Sequence, residues 1–233
     1  MRVPFGSFLS DFLHLLYPPY CVACAGPLVK GEDWICTSCL MQLPRPGYHL
    51  YRENPVFLRL VGRLPLDFAA AFLLFTRGGR VQHILHALKY HNVPALAVYL
   101  GKIFGGDLKE AGLGSKADMI VPVPLHPARQ RKRGYNQSAE FARGLSAAIN
   151  VPLNTSILVR ARATETQTRK NRLMRWQNVE NAFALKQAEA VKGRRILLVD
   201  DVITTGATLE ACGQILVKAG AASLSVAGIA YAG

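Results

Sequence analysis

The sequence predicts an α/β fold, in which helices flank a parallel sheet and a small metal-binding ribbon precedes it. Apolar runs typical of buried strands alternate with helical patterns along most of the chain. Four of the five cysteines form two Cys-x2-Cys pairs near the start. At 233 residues, half of them hydrophobic, the chain is long enough to bury a real core. We expect an N-terminal helix and ribbon in residues 1–46 and an α/β domain in residues 47–233.

The first twenty residues contain a short apolar stretch. Residues 5–17 are mostly hydrophobic, but Asp11 and His14 interrupt them, only Arg2 precedes them, and no small-residue cleavage site follows cleanly. This pattern favours a short amphipathic helix over a signal peptide, so we expect a cytoplasmic protein. No later apolar run approaches the length of a membrane span. The net charge of +13 predicts anionic partners: nucleotides, nucleic acid or acidic membrane surfaces.

The two cysteine pairs have the spacing of a structural metal site. They are separated by eleven residues, and Gly26 and Gly31 allow tight turns beside them. Four thiolates at the corners of a tetrahedron suit a structural Zn²⁺ with no open position. Two disulfides are the alternative, and the lack of a secretory signal disfavours them. The predicted zinc ligands are Cys21, Cys24, Cys36 and Cys39, whereas Cys212 is expected to be a small core residue.

The middle of the chain predicts a strand and two helices. Residues 48–66 show no clear period and are expected to connect the ribbon to the next domain. A strand is predicted from Asp67 to Thr76, then helices from Arg80 to Tyr90 and from Pro94 to Leu108. Three histidines lie in or directly after the first of these helices: His83, His86 and His91. Their spacing could suit a metal, but no carboxylate or further ligand joins them, so we expect them to be solvated.

A basic segment follows the next predicted strand, Ala117 to Val123. Pro122 and Pro124 end that strand because proline donates no ladder hydrogen bond. The residues that follow are strongly basic, and a helix is expected to begin near Asn136 or Gln137. A basic loop that leads into a helix is a candidate anion site, here for pyrophosphate; a solvated loop and a nucleic-acid patch are the alternatives. Its predicted residues are Arg129, Arg131, Lys132, Arg133, Gly134 and Tyr135.

A second candidate anion site lies near the C-terminus, in Ile-Leu-Leu-Val-Asp-Asp-Val-Ile-Thr-Thr-Gly-Ala-Thr from Ile196 to Thr208. Its apolar start predicts a buried strand, and a helix is expected from Leu209 to Gly220. The turn between them then holds two carboxylates and a run of small residues. Gly206 allows a ligand to approach the backbone, and free N–H groups at the helix start favour a phosphate. Asp200 and Asp201 repel phosphate, so they must face another part of the ligand, such as sugar hydroxyls; a polar turn without ligand is the alternative.

This string resembles the signature with which type I phosphoribosyltransferases bind phosphoribosyl pyrophosphate. The resemblance implies that the catalytic acid pair, Asp200 and Asp201, contacts the ribose 2′ and 3′ hydroxyls. It also implies that the turn holds the 5′-phosphate and that Mg²⁺ bridges ribose hydroxyls and pyrophosphate. The residues it assigns to phosphoribosyl pyrophosphate are Asp200, Asp201, Val202, Thr204, Thr205, Gly206, Ala207 and Thr208.

Four further motifs make the resemblance more specific. They are the Arg-Gly-Tyr-Asn-Gln box, the Val-Pro-Val-Pro strand end, the Tyr-Pro-Pro before the first cysteine pair and the Leu-Lys-Tyr helix end. Together they resemble the ComF family, also called GntX-like proteins, from Tyr17 to the C-terminal strand. The resemblance implies a zinc ribbon joined to a type I phosphoribosyltransferase-like domain, and a role in DNA uptake during natural transformation. The resemblance does not indicate which biochemical reaction the family catalyses.

Much of the positive charge lies between the two anion sites. From Arg129 to Arg175 there are eleven basic residues and two acids. Residues 169–178 are expected to form an exposed helix anchored by Trp176. The phosphoribosyltransferase resemblance implies a mobile flap here, with Gln167, Arg172 and Asn178 as ligand contacts. A solvated basic helix is one alternative, and a nucleic-acid surface on which Tyr135 or Trp176 stacks is another.

Two functional hypotheses follow. The favoured one is a ComF-type protein that binds phosphoribosyl pyrophosphate and serves DNA uptake, holding single-stranded DNA and a DNA-uptake motor protein. The other is a phosphoribosyltransferase of nucleotide salvage or amide transfer, in which a nitrogen nucleophile displaces pyrophosphate with Mg²⁺. The protein is not itself the motor, because it has no Walker A string. Residues 48–116, where an acceptor would bind, contain no recognisable pattern, so the substrate stays unassigned.

Overall fold

The fold is built on a parallel sheet. The computed structural model describes residues 19–160 and 182–233. The strands are β1 Leu66–Leu74, β2 Met119–Pro122, β3 Leu158–Arg160, β4 Phe183–Leu185, β5 Arg195–Ile203 and β6 Ser223–Tyr231. Four of them form one parallel sheet in the order β1-β6-β5-β2, and β3 and β4 pair antiparallel beside it. β6 is buried along almost its whole length, as expected for an inner strand with both faces covered.

α-Helices cover the sheet, and a short one carries Cys39 of the ribbon. In the described part of the chain they are α1 Thr37–Met41, α2 Pro55–Leu60, α3 Arg80–Tyr90, α4 Pro94–Glu110, α5 Pro127–Arg133, α6 Gln137–Ile149 and α7 Ala207–Lys218. None of the described helices is both long enough and apolar enough to cross a bilayer.

α4 and α6 pack against one another at very short range. A methyl group on Gly101 of α4 would lie 2.2 Å from the carbonyl oxygen of Phe141, and one on Gly144 of α6 would lie 2.2 Å from that of Val98. Only glycine permits this backbone approach. Beside the crossing, the rings of Phe72 and Phe104 lie 5.4 Å apart between centroids. The close approach fixes α6 against the sheet and therefore fixes its N-terminus near the end of β5.

α2 is organised by a buried asparagine. Asn54 is 1% exposed, and its Oδ1 accepts hydrogen bonds from the backbone N–H groups of Val56 and Phe57 at the helix start. Its Nδ2 donates to the carbonyl oxygens of Tyr48 and Ala69, each at 2.8 Å. One side chain thus caps α2 and attaches it to β1. We expected residues 48–66 to be a connecting segment, but they contain this helix.

Most predicted elements are confirmed. The helices expected at 80–90, 94–108 and 209–220 are α3, α4 and α7, and the strands expected at 67–76 and 117–123 are β1 and β2, with ends that differ by at most two residues. The basic segment, predicted to be a loop, instead forms α5. Pro127 starts this helix, the His126 ring accepts a hydrogen bond from the Ala128 N–H at 3.2 Å, and Gly134 ends it with φ +81°. Proline at the start and glycine after the end were the sequence signals for it.

Several predictions lie outside the described residues. They are the amphipathic helix at 5–17, the exposed helix at 169–178 with Trp176, and the flap contacts Gln167, Arg172 and Asn178. The predicted boundary between residues 46 and 47 stays a prediction.

Candidate functional site

The acid pair lies at the carboxyl end of β5. We expected both carboxylates in the turn, but β5 continues its pairing with β6 as far as Ile203, so Asp200 and Asp201 belong to the strand. The Ser138 hydroxyl of α6 donates to Asp200 Oδ1 at 3.3 Å, and the Asp201 backbone N–H donates to the same oxygen at 2.8 Å. The sequence pattern had not indicated Ser138. α6 thus fixes the orientation of the first acid.

The environment of Asp200 disfavours its ionised form. Burial, with the neighbouring charge of Asp201, raises the pKa of Asp200 to about 7, although its two hydrogen bonds and the charge of Lys89 oppose the shift. An ordinary aspartate has a pKa of about 3.9. A cation or a sugar hydroxyl in contact with Asp200 would stabilise the ionised form. Acids held in this state are typical of functional sites.

The turn after β5 has the geometry of an anion site. Gly206 adopts φ +78° immediately before α7, and a methyl group there would lie 2.6 Å from Leu60 Cδ2. The left-handed conformation favours glycine, and a larger residue would also force the Leu60 side chain to shift. Thr204 and Thr205 are exposed beside it. The N-terminus of the twelve-residue helix α7 directs free N–H groups toward this turn.

The turn after α2 contributes a residue that the sequence did not reveal, Arg63. The Arg63 guanidinium donates to the Thr205 carbonyl oxygen at 3.4 Å and pairs with Glu210 of α7 at 3.2 Å. These two contacts connect Arg63 to the turn before α7 and to α7 itself. No sequence motif surrounds Arg63, and its role depends on the tertiary contacts that bring it to Thr205 and Glu210.

The predicted pyrophosphate residues divide into two groups. Arg129, Lys132 and Arg133 share one face of α5 and line a cleft of about 490 Å³. Arg131 is exposed and does not line it. Three residues at or just after the C-terminal end of α3 complete the lining: Lys89, Tyr90 and Asn92.

Tyr135 faces the interior. Its ring is 8% exposed, and its hydroxyl donates to the Leu88 carbonyl oxygen. Gln137 donates to the same oxygen at 3.0 Å, while Asn136 caps α6 and donates to the Val123 carbonyl oxygen at 2.9 Å. The Arg-Gly-Tyr-Asn-Gln box thus joins α3, the end of β2 and the start of α6. Because the ring is buried, Tyr135 is not placed to stack on a base, as one sequence hypothesis required.

The four ribbon cysteines converge. The sulfur atoms of Cys21, Cys24, Cys36 and Cys39 all lie within 4.8 Å of one another. Cys24 Sγ and Cys36 Sγ are 3.9 Å apart. Zinc–sulfur bonds of about 2.3 Å at tetrahedral angles place sulfurs about 3.8 Å apart, so the cluster fits a structural Zn²⁺. All five cysteines of the chain are free thiols. This agrees with the zinc hypothesis and disagrees with the disulfide alternative.

Backbone donors surround the cluster and link it to the rest of the fold. The N–H of Cys36 donates to Cys21 Sγ at 3.3 Å, and that of Cys39 to Cys36 Sγ at 3.4 Å, bonds that stabilise thiolates. The His83 ring lies 3.0 Å from the Ala23 carbonyl oxygen and so connects α3 to the ribbon. The three histidines are all exposed, as expected: His83, His86 and His91.

Comparisons with known proteins agree with this architecture. A model of the phosphoribosyl transferase domain matches residues 135–233. The DNA utilization protein YhgH of Salmonella typhimurium LT2 is 32% identical over 235 residues, covering 91% of this chain and 96% of that protein. Competence protein F of Haemophilus influenzae is 29% identical with the same coverage, and competence protein ComFC of Bacillus subtilis is 36% identical, covering 91% of this chain and 85% of that protein.

A solved structure with partial similarity is the glutamine phosphoribosylpyrophosphate amidotransferase from B. subtilis. It is 25% identical with a TM-score of 0.43, over 59% of this chain and 26% of that one, so the chain spans about a quarter of its length.

The fold and the matched domain together define a phosphoribosyltransferase-type α/β protein that begins with a four-cysteine ribbon. The extent and identity of the matches to curated relatives show that the chain belongs to the ComF family, also called GntX-like proteins.

Proposed function

We propose that this protein binds phosphoribosyl pyrophosphate with Mg²⁺ at the carboxyl edge of the sheet and serves DNA uptake in natural transformation. The observation that carries the first part is the acid pair at the end of β5, followed directly by the Gly206 turn and the N-terminus of α7. Asp200 and Asp201 would hold the ribose hydroxyls, and the turn from Thr204 to Thr208 would hold the 5′-phosphate. The relatives named for competence and DNA utilization support the second part.

Charge neutralisation would be the main contribution of the protein to any reaction at this site. Arg129, Lys132 and Arg133 would meet the pyrophosphate, and Mg²⁺ would supply further positive charge there. The two carboxylates would stabilise positive charge on a ribose ring that loses pyrophosphate. The same geometry suits the second hypothesis, a salvage or amide-transfer phosphoribosyltransferase. Release of pyrophosphate in the presence of a nitrogen nucleophile would favour that enzyme over a binding protein.

The proposal includes three further parts. The four-cysteine cluster holds a structural Zn²⁺. Single-stranded DNA is a ligand of the protein, and a DNA-uptake motor protein is a partner. We also propose a cytoplasmic location.

Calorimetric titration with phosphoribosyl pyrophosphate and Mg²⁺ tests the ligand site. We expect saturable binding by the native protein and none by the double variant Asp200→Asn/Asp201→Asn. Asp118→Asn is the matched control, because it also removes a carboxylate, but before β2, where Asp118 pairs with Arg195 at 2.6 Å. Equal affinity of the native protein and the double variant would eliminate the acid pair as the ribose site.

A further inference from the structure

The cleft between α3 and α5 is strongly cationic. It is lined by four basic side chains from two helices, Lys89, Arg129, Lys132 and Arg133, and by Tyr90 and Asn92. Among residues 19–160 and 182–233, none of these four cations lies within 4.0 Å of a carboxylate. The cleft therefore attracts anions without internal competition in this part of the chain.

An exposed aromatic cluster forms one side of this cleft. Tyr90 is 62% exposed, one of the most exposed large hydrophobic side chains in the described structure. Its ring centroid lies 4.6 Å from that of His86, and the His86 centroid lies 5.4 Å from that of His91. The three rings sit at the C-terminal end of α3, and Tyr90 itself lines the cleft. The apolar face of the Tyr90 ring is thus exposed beside the cations of the cleft.

Helix stability accounts for only part of this arrangement. Cations near the C-terminus of a helix interact favourably with the helix dipole, which explains basic residues at the ends of α3 and α5. The dipole does not explain an exposed tyrosine between them. A site for pyrophosphate alone needs cations but no aromatic surface. A ligand that presents both phosphates and flat apolar rings accounts for the whole cleft.

We propose that this cleft binds single-stranded nucleic acid, with the cations on phosphates and Tyr90 stacked on a base. Unpaired bases expose the ring faces that a duplex buries, which makes a single strand the matching ligand. The proposal rests on the proposed binding of single-stranded DNA and assigns it a surface. Because this surface includes Arg129, Lys132 and Arg133, DNA and the pyrophosphate of phosphoribosyl pyrophosphate would compete for it. It replaces Tyr135, whose ring is buried, with Tyr90 as the stacking residue.

Fluorescence anisotropy of the full chain with a labelled oligothymidine of about 20 nucleotides, a length that exceeds the site size of typical single-strand binding domains, tests the assignment. We expect Tyr90→Ala to weaken binding by about 5- to 160-fold, the effect of losing one stacked base, and Tyr90→Phe to retain it. Tyr51→Ala is the matched control, since Tyr51 is 48% exposed but does not line the cleft. Lys132→Ala should reduce the slope of log K against log salt by about 0.7.

An abasic oligonucleotide of equal length separates base stacking from phosphate binding. We expect the native protein to bind it as weakly as Tyr90→Ala binds oligothymidine. If Tyr90→Ala binds oligothymidine like the native protein, the cleft assignment is refuted while DNA binding itself stands. If the native protein binds neither oligonucleotide, both the cleft and the proposed DNA binding fail.

Discussion

The substitution Asp200→Asn should stabilise the ligand-free protein at alkaline pH. The pKa of Asp200 is raised from 3.8 to about 7, a difference of about 3 pH units, each equivalent to about 1.4 kcal/mol. The ionised carboxylate therefore costs at most about 4 kcal/mol, and we expect about 2 to 4 kcal/mol because the shift is shared with Asp201. The amide of asparagine retains an oxygen to accept the hydrogen bonds from Ser138 and the Asp201 N–H.

The sign of the pH dependence follows from proton binding. Because the pKa is higher in the folded chain than in the unfolded chain, the folded chain binds more protons between about pH 4 and 7. The free energy of unfolding of the native protein therefore falls, relative to that of Asp200→Asn, as pH rises through this interval. The difference should grow by about 1 kcal/mol per pH unit from pH 5 to 7 and then level off.

Urea unfolding followed by circular dichroism from pH 5 to 8, without Mg²⁺ or phosphoribosyl pyrophosphate, measures this difference. Asp118→Asn should behave in the opposite way: hydrogen bonds from Arg195 lower the pKa of Asp118 to about 2, so losing that carboxylate destabilises at pH 8. A difference between Asp200→Asn and the native protein that does not change with pH would refute the assigned environment of Asp200.

Three further predictions concern the ribbon, the turn and the box. Cys36→Ser, or a chelator, should release bound zinc, measurable with a metallochromic dye, and unfold the ribbon; undiminished zinc content would contradict the cluster. Gly206→Ala should destabilise by about 2 to 4 kcal/mol in thermal unfolding, from its positive φ and the contact with Leu60, and should weaken phosphoribosyl pyrophosphate binding. Tyr135→Phe should cost about 1 kcal/mol of stability without changing DNA affinity, because only the hydrogen bond to Leu88 is lost; weakened DNA binding by this variant would restore Tyr135 as the stacking residue.

Local sequence patterns predicted the elements but not every boundary. The helix at 80–90 and the strands around 67–76 and 117–123 followed from apolar periodicity alone. The assignment of Asp200 and Asp201 to a turn was wrong, because a strand end is set by its partner, and pairing of β5 with β6 extends to Ile203. α5 was missed although Pro127 and Gly134 indicated it, since a run of basic residues has no apolar period.

The sequence by itself determined which side chains could hold a metal, which are acidic at a strand end and which are basic beside them. Those assignments depend on residues close together in the chain, such as the two cysteine pairs and the string from Ile196 to Thr208. Only the tertiary structure decided which distant residues meet. Ser138 contacts Asp200, Arg63 contacts Thr205, and Lys89 and Tyr90 line the cleft with α5. Such contacts arise from the packing of helices on the sheet, which no local pattern specifies.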